Sequence, residues 1–186
     1  GDPRYDMLRF YLMGMEKGVS KTGVSFMSFD NNNDARGLEY VEMFLDAITH
    51  RYPLKMSYKP FDKPEFQVNI HPYHLRQYNR RWFIFGLVED RSEILNYALD
   101  RIINLEHLSK TYIESNIDFD EYFDDIVGVS NYKNSEIENV LLKVNNKSID
   151  YIRTKPLHWT QTELKNLNTY ECSYIQLKVK VNTELI

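Results

Sequence analysis

The sequence predicts an α+β protein: a small five-stranded antiparallel barrel of SH3 or Sm type, with helices before it and a partial second α+β unit after it. Three observations carry this. Apolar residues recur at helical spacing from about Ala35 to Thr49, the period changes to two at Leu54, and a second run of period two begins at Val140 beyond an acidic stretch. Several short strands in succession, joined by short turns, close most economically as a small barrel, because a flat sheet of that size leaves adhesive edges.

The elements follow in order. Tyr5, Leu8, Leu12 and Met15 have helical spacing before Gly18, and the stretch from Ser20 to Asn33 is polar and turn-rich, so a short helix and a loop are expected there. A second helix is expected from about Ala35 to Thr49, with Leu38, Val41, Leu45 and Ile48 on one face, an Asn33 or Asp34 cap, and Pro53 barring its extension. Met56 and Tyr58 alternate with Lys55, Ser57 and Lys59, and Phe66, Val68 and Ile70 alternate with Gln67, Asn69 and His71. After a turn at Gln77-Tyr78-Asn79, the run from Arg81 to Val88 is the most apolar of the chain, and Ile94 to Ile103 reads as one more strand.

Past Asp125 the pattern restarts with Val140, Leu142 and Val144, a short helix around Ser148 to Arg153, and a strand from Tyr174 to Val181. These elements look too few to close a core, so truncation of the chain, or a partner that completes the sheet, is expected. The resulting divisions are 1–33 for a linker helix and loop, 34–115 for the barrel with its leading helix, 116–135 for an acidic linker, and 136–186 for the partial extension.

Bulk properties narrow the function. The chain has 186 residues, 27% of them charged, with one cysteine, Cys172, so an intrachain disulfide is impossible and paired Cys-x-x-Cys zinc spacings are absent. No apolar run is long enough to span a bilayer, and a cytoplasmic location without membrane contact is the expectation. A formal net charge of −4 argues against a chain that grips nucleic acid over its whole surface. Charge is nonetheless uneven: from Arg51 to Arg81 seven basic residues face only Asp62 and Glu65, whereas Glu114 to Asp125 holds six acids and no base. The first stretch can hold an anion; the second faces water or a basic partner.

Several kinds of chemistry fail on geometry. His71 and His74 at i and i+3 in an extended segment point to opposite faces, so no shared metal is expected. Cys172 lacks an evident basic neighbour or helix N-terminus to form its thiolate, and reads as a buried thiol. The acids around Asp118 lack the glycine and spacing of a calcium loop and suit a solvated face or a helix start. No glycine-rich phosphate loop exists, and no cofactor is expected. With no nucleophile, base and orienting group to place together, the chain is not expected to be an enzyme; the best material would be His74 with the acids between Asp118 and Asp125.

One constellation survives: His74 to Gly86, followed by Ala98-Leu99-Asp100-Arg101-Ile102. Alternation puts Arg81 on the face of Phe83 and Phe85, and Trp82 and Ile84 on the other. An arginine among aromatics suits phosphate binding or stacking on a base; equally, Arg81 and Arg101 can simply pair with an acid such as Asp100 at a strand end.

These residues resemble the WYL domain, named for a Trp-Tyr-Leu triplet that is Trp82-Phe83-Ile84 in this chain. The resemblance extends through Leu54 to Tyr58, His71 to Leu75, Tyr78 to Trp82 and Leu99 to Ile102. Glu121 to Val129 and Thr154 to His158 are similar to the link and C-terminal extension that follow such domains. The resemblance implies an Sm-like barrel that senses a negatively charged ligand, a nucleotide or single-stranded nucleic acid, within a homodimeric bacterial transcription regulator. Operator DNA would then be bound by an N-terminal winged helix-turn-helix that this sequence lacks. It also implies ligand-binding roles for Tyr58, His74, Arg81 and Arg101, with Ser57, Arg76 and Asn79 contributing by adjacency. One departure stands out, since many relatives carry Arg-x-Phe where this chain has Leu95-Asn96-Tyr97. The alternative is an Sm- or SH3-like module that binds RNA or protein without a transcriptional role.

Overall fold

The computed structural model describes residues 37–91 and 93–186; the expected helix from Tyr5 to Met15, the loop from Ser20 to Asn33 and the Asn33 or Asp34 cap lie outside them. Residues Gly37–Ile186 form one compact unit. It opens with a 3-10 turn, Leu38–Tyr40, leading into helix α1, Val41–His50. The buried stripe of α1 is Val41, Phe44 and Ala47, with the expected Leu45 and Ile48 at its margin. The helix ends where Arg51 turns left-handed at φ 58° and Pro53 follows.

Five strands follow: β1 (Leu54–Tyr58), β2 (Phe66–Tyr78), β3 (Arg81–Val88), β4 (Ile94–Ala98) and β5 (Ile102–His107). All pair antiparallel, in the order β4-β3-β2-β1-β5. Leu54, Met56, Ile70 and Ile84 are fully buried, as are Val41, Phe44 and Ala47 of α1. Burying each large member of this set stabilises the fold by about 1.5–3 kcal/mol. Strand β2 tolerates Pro72 because the register with β3 shifts between Pro72 and His74, and a bulge needs no ladder donor at that position. The β2–β3 turn is a two-residue one, Asn79 and Arg80, both at positive φ, one step later than the sequence suggests.

Two expectations are corrected. The segment from Ile94 to Ile103 is two strands broken by a 3-10 turn at Leu99–Arg101. The sheet is also not closed into a barrel by its ladders, because β4 and β5 lie at opposite edges and do not pair. Side chains finish the corner instead: the Tyr58 hydroxyl accepts from Ala98 N at 3.3 Å, and Asn96 Nδ2, on β4, donates to Val129 O at 2.8 Å.

Helix α2 (Phe119–Asp124) lies across the second face of the sheet, where Phe85 is fully buried against Phe119, Tyr122 and Phe123. Then come β6 (Ile137–Asn145), helix α3 (Ile149–Thr154), β7 (Thr162–Glu163) and β8 (Cys172–Lys180), the strands ordered β6-β8-β7. These elements do enclose a core, made of Val127, Val144, Ile149, Ile175, Leu177 and Val179, so the expectation that they are too few to do so is corrected. The link from Asp124 to Ser130 supplies the missing cover. It donates Val127 to that core, and its carbonyls accept from Lys180 N, Asn182 Nδ2 and His158 Nε2. Cys172 is buried beside Thr169 Oγ1, which suits the expected inert thiol.

Candidate functional site

Six of the seven candidate residues divide between two places, and the seventh, Asn79, lies in neither. The first is the corner where β1 ends and the 3-10 turn begins. Tyr58 is 6% exposed, its ring edge-on to Tyr97 at 4.9 Å and tilted to Phe66 at 5.7 Å. Burial pushes its phenol pKa up, an effect partly offset by the Arg101 guanidinium, which draws near it because Lys59 N donates to Arg101 O at 3.0 Å. The Arg101 guanidinium lies over the ring of Phe61 at 4.1 Å, and its Nε is buried with no hydrogen-bond partner among the described residues. Ser57 is buried beside this corner and accepts from Gln67 Nε2 at 3.2 Å.

Arg81 reaches the same turn from β3. Its Nε lies 3.2 Å from Asp100 Oδ2, while the other Asp100 oxygen is buried without a partner among the described residues. Arg81 is 42% exposed, and ion pairs of that exposure contribute about 0–1 kcal/mol, so the pairing does not commit the guanidinium. The corner thus gathers Ser57, Tyr58, Arg81 and Arg101, with Asp100 between the two arginines in sequence. Asn79 stands apart, exposed in the β2–β3 turn.

The second place is a groove of about 660 Å³ between β2, α2 and the segment Leu157–Trp159. His74 and Arg76 line it; Tyr58, Arg81 and Arg101 do not. The His74 ring stacks on Phe119 at 4.6 Å and 10°, and the Arg76 guanidinium lies 3.8 Å over Phe123. Burial lowers the His74 pKa and the nearby Arg76 lowers it further, against a smaller opposing pull from Asp120. Arg76 has no ion pair among the described residues, and Trp82 and Trp159 form other walls of the groove. Aromatic faces beside cations can hold a planar or anionic molecule.

The aromatic half of the groove escapes a reading by charge, because Phe119 and Phe123 lie inside the most acidic stretch of the chain. Their i, i+4 spacing after Asp118 is the signal that reveals them: Asp118 Oδ1 accepts from Asp120 N at 2.8 Å, starts α2, and puts both rings on one face. Phe61 carries no such signal. Among the described residues no group of three His, Cys, Asp or Glu side chains could hold a metal ion, and no helix is long and apolar enough to cross a membrane.

Comparison with known proteins gives a domain match. Residues 39–107, rather more than a third of the chain, match the WYL domain, and all seven candidate residues fall inside that segment. No curated protein matches. Among solved structures, the chain is similar to proteasome accessory factor B/C (PafBC) of Arthrobacter aurescens at 12% identity with a TM-score of 0.41; the match covers 83% of this chain. It spans 22% of the length of that protein.

Proposed function

We propose that this chain is the ligand-sensing part of a homodimeric bacterial transcription regulator and that it binds a negatively charged ligand, a nucleotide or single-stranded nucleic acid. The observation that carries this reading is the corner at Tyr58: a guanidinium with a buried Nε that no acceptor among the described residues satisfies, beside a second, half-exposed arginine, within the segment that matches the WYL domain. A buried polar atom left unpaired costs about 1–3 kcal/mol, and a ligand acceptor would recover that. The β4-β3-β2-β1-β5 order, with a 3-10 turn between the last two strands, suits an open SH3- or Sm-like barrel as its frame.

In this proposal the guanidiniums of Arg81 and Arg101 make bidentate, charge-assisted hydrogen bonds to a phosphate, and the Tyr58 hydroxyl adds a donor. A planar base takes the place of Phe61, 71% exposed, over Arg101. His74 and Arg76 hold the next part of an extended ligand in the groove. Binding then shifts the balance between two arrangements of the dimer. Binding of a short single-stranded oligonucleotide, measured by fluorescence anisotropy across a salt series, tests this. Replacing Arg81 and Arg101 with alanine should weaken binding at least about tenfold and flatten the salt slope by about one to two. Unchanged affinity with an unchanged slope rejects the phosphate role. Enzymatic activity forms no part of the reading.

A further inference from the structure

Asp100 is an odd residue to find in an anion site. It stands in the 3-10 turn next to Arg101, and its Oδ2 lies 3.2 Å from Arg81 Nε, so a carboxylate sits with the two guanidiniums that are to hold a phosphate. The Tyr58 hydroxyl is within electrostatic reach of both Arg101 and Asp100. The turn is pinned in place: Lys59 N donates to the Arg101 carbonyl at 3.0 Å, and the backbone of Gly37 abuts that of Leu99 and Asp100. The Asp100 side chain is 22% exposed, and its Oδ1 is buried without a hydrogen bond among the described residues. To orient Arg81 it needs one acceptor oxygen, which a neutral amide supplies equally well. What an amide lacks is the charge.

The charges of this corner decide what can enter it. Arg81 and Arg101 bring two positive charges and Asp100 removes one, while Tyr58, its pKa raised by burial, is a neutral phenol. Lys59, Asp62, Lys63 and Glu65, in the loop before β2, are exposed and cancel one another. One positive charge is left. A phosphodiester carries one negative charge, whereas a phosphomonoester, with a second pKa of about 6, carries nearly two above neutral pH. The diester therefore neutralises the corner, and the monoester leaves a surplus negative charge beside a carboxylate that water screens only in part. We propose that Asp100 acts as a charge filter, which admits a phosphodiester to Arg81 and Arg101 and turns away a phosphomonoester. Of a free mononucleotide and a single strand, it is the internal phosphates of the strand that fit.

The filter rests on the ligand reading, because it acts only if Arg81 and Arg101 hold a phosphate. Thymidine monophosphate and its methyl ester share base and sugar and differ by one charge, so they isolate it. In competition at pH 8 against a fluorescent hexathymidylate on the full 186-residue chain, the methyl ester should bind at least about fivefold more tightly than the monophosphate. Asp100→Asn should narrow that gap to about twofold or less by improving the monophosphate. Whichever competes better of thymidylyl-thymidine and a cyclic dinucleotide, both diesters, identifies a strand or a ring as the source, and either supports the filter. Equal competition by the two thymidine esters, including none by either, overturns the proposal, as does a gap that Asp100→Asn leaves unchanged while far-UV circular dichroism shows the variant folded. The wild-type comparison decides even if the variant does not fold. If Arg81→Ala with Arg101→Ala leaves hexathymidylate binding unchanged, the ligand reading falls; if it weakens binding while the two esters compete equally, only the filter does.

Discussion

His71 is 1% exposed; its Nδ1 accepts from Ile113 N at 3.0 Å, which puts the proton on Nε2, and that atom makes no hydrogen bond among the described residues. Burial lowers its pKa below the ordinary 6.5, outweighing the pull of Glu89, whose carboxylate lies 3.9 Å away and is itself held by Lys110 and Asn69. His74 is lowered as well, first by burial and then by Arg76. Both rings therefore take up protons more readily in the unfolded chain, so stability is full at neutral pH and above and falls as pH drops through about 6.5. Urea unfolding between pH 8 and 5.5 should show the midpoint descending; His71→Gln should lower the pH 8 value yet flatten the descent. A midpoint independent of pH contradicts this assignment. In the sequence His71 reads only as half of a metal pair that geometry rejects. Its role as a clamp on the irregular segment after β5 depends on Ile113, forty-two positions away, and local pattern cannot reach that far.

At the scale of elements, the alternation that reveals strands also conceals a turn. Leu99 and Ile102 are 1% and 7% exposed on either side of polar Asp100 and Arg101, so the segment imitates a continuing strand while its backbone coils. That coil takes Arg101 off the ladder and turns it toward Phe61. The hairpin of β2 and β3 was legible because apolar and polar residues alternate from Phe66 to His71, and the apolar run at Arg81 to Val88 marked an interior strand of the sheet. Helix α2 was half legible: Asp118 was readable as a helix start, but the partners of its aromatic rings were not. Replacing Asp118 with alanine removes the cap of a six-residue helix and should cost about 1 kcal/mol in urea unfolding. Because α2 carries Phe119 and Phe123 over the groove, the fluorescence of Trp82 and Trp159 should shift as well. An unchanged spectrum and midpoint would mean the helix is held by its rings alone.

Across the whole unit, the two sheets are tied by backbone and amide hydrogen bonds instead of a flexible linker. Asn182, 2% exposed, donates to Val127 O at 2.8 Å and Ser130 O at 2.9 Å and accepts from Leu185 N at 3.1 Å. Asn182→Ala should cost about 1–3 kcal/mol, since the Val127 and Ser130 carbonyls lose their donor, and unfolding followed by fluorescence and by circular dichroism should still coincide. Two separated transitions would show that the sheets fold independently. The sequence locates a break at the acidic stretch, and composition does change there; it cannot show that the link is itself core, because Val127 earns its place by contacts with β6 and β8. At the start of the unit, Gly37 has φ 90° and lies so close to the turn at Leu99–Arg101 that a Cβ would overlap the Leu99 backbone. Main chain resting directly on main chain leaves no rotamers to take up slack, so any displacement of the turn bearing Asp100 and Arg101 passes undamped into the first residues of the leading helix.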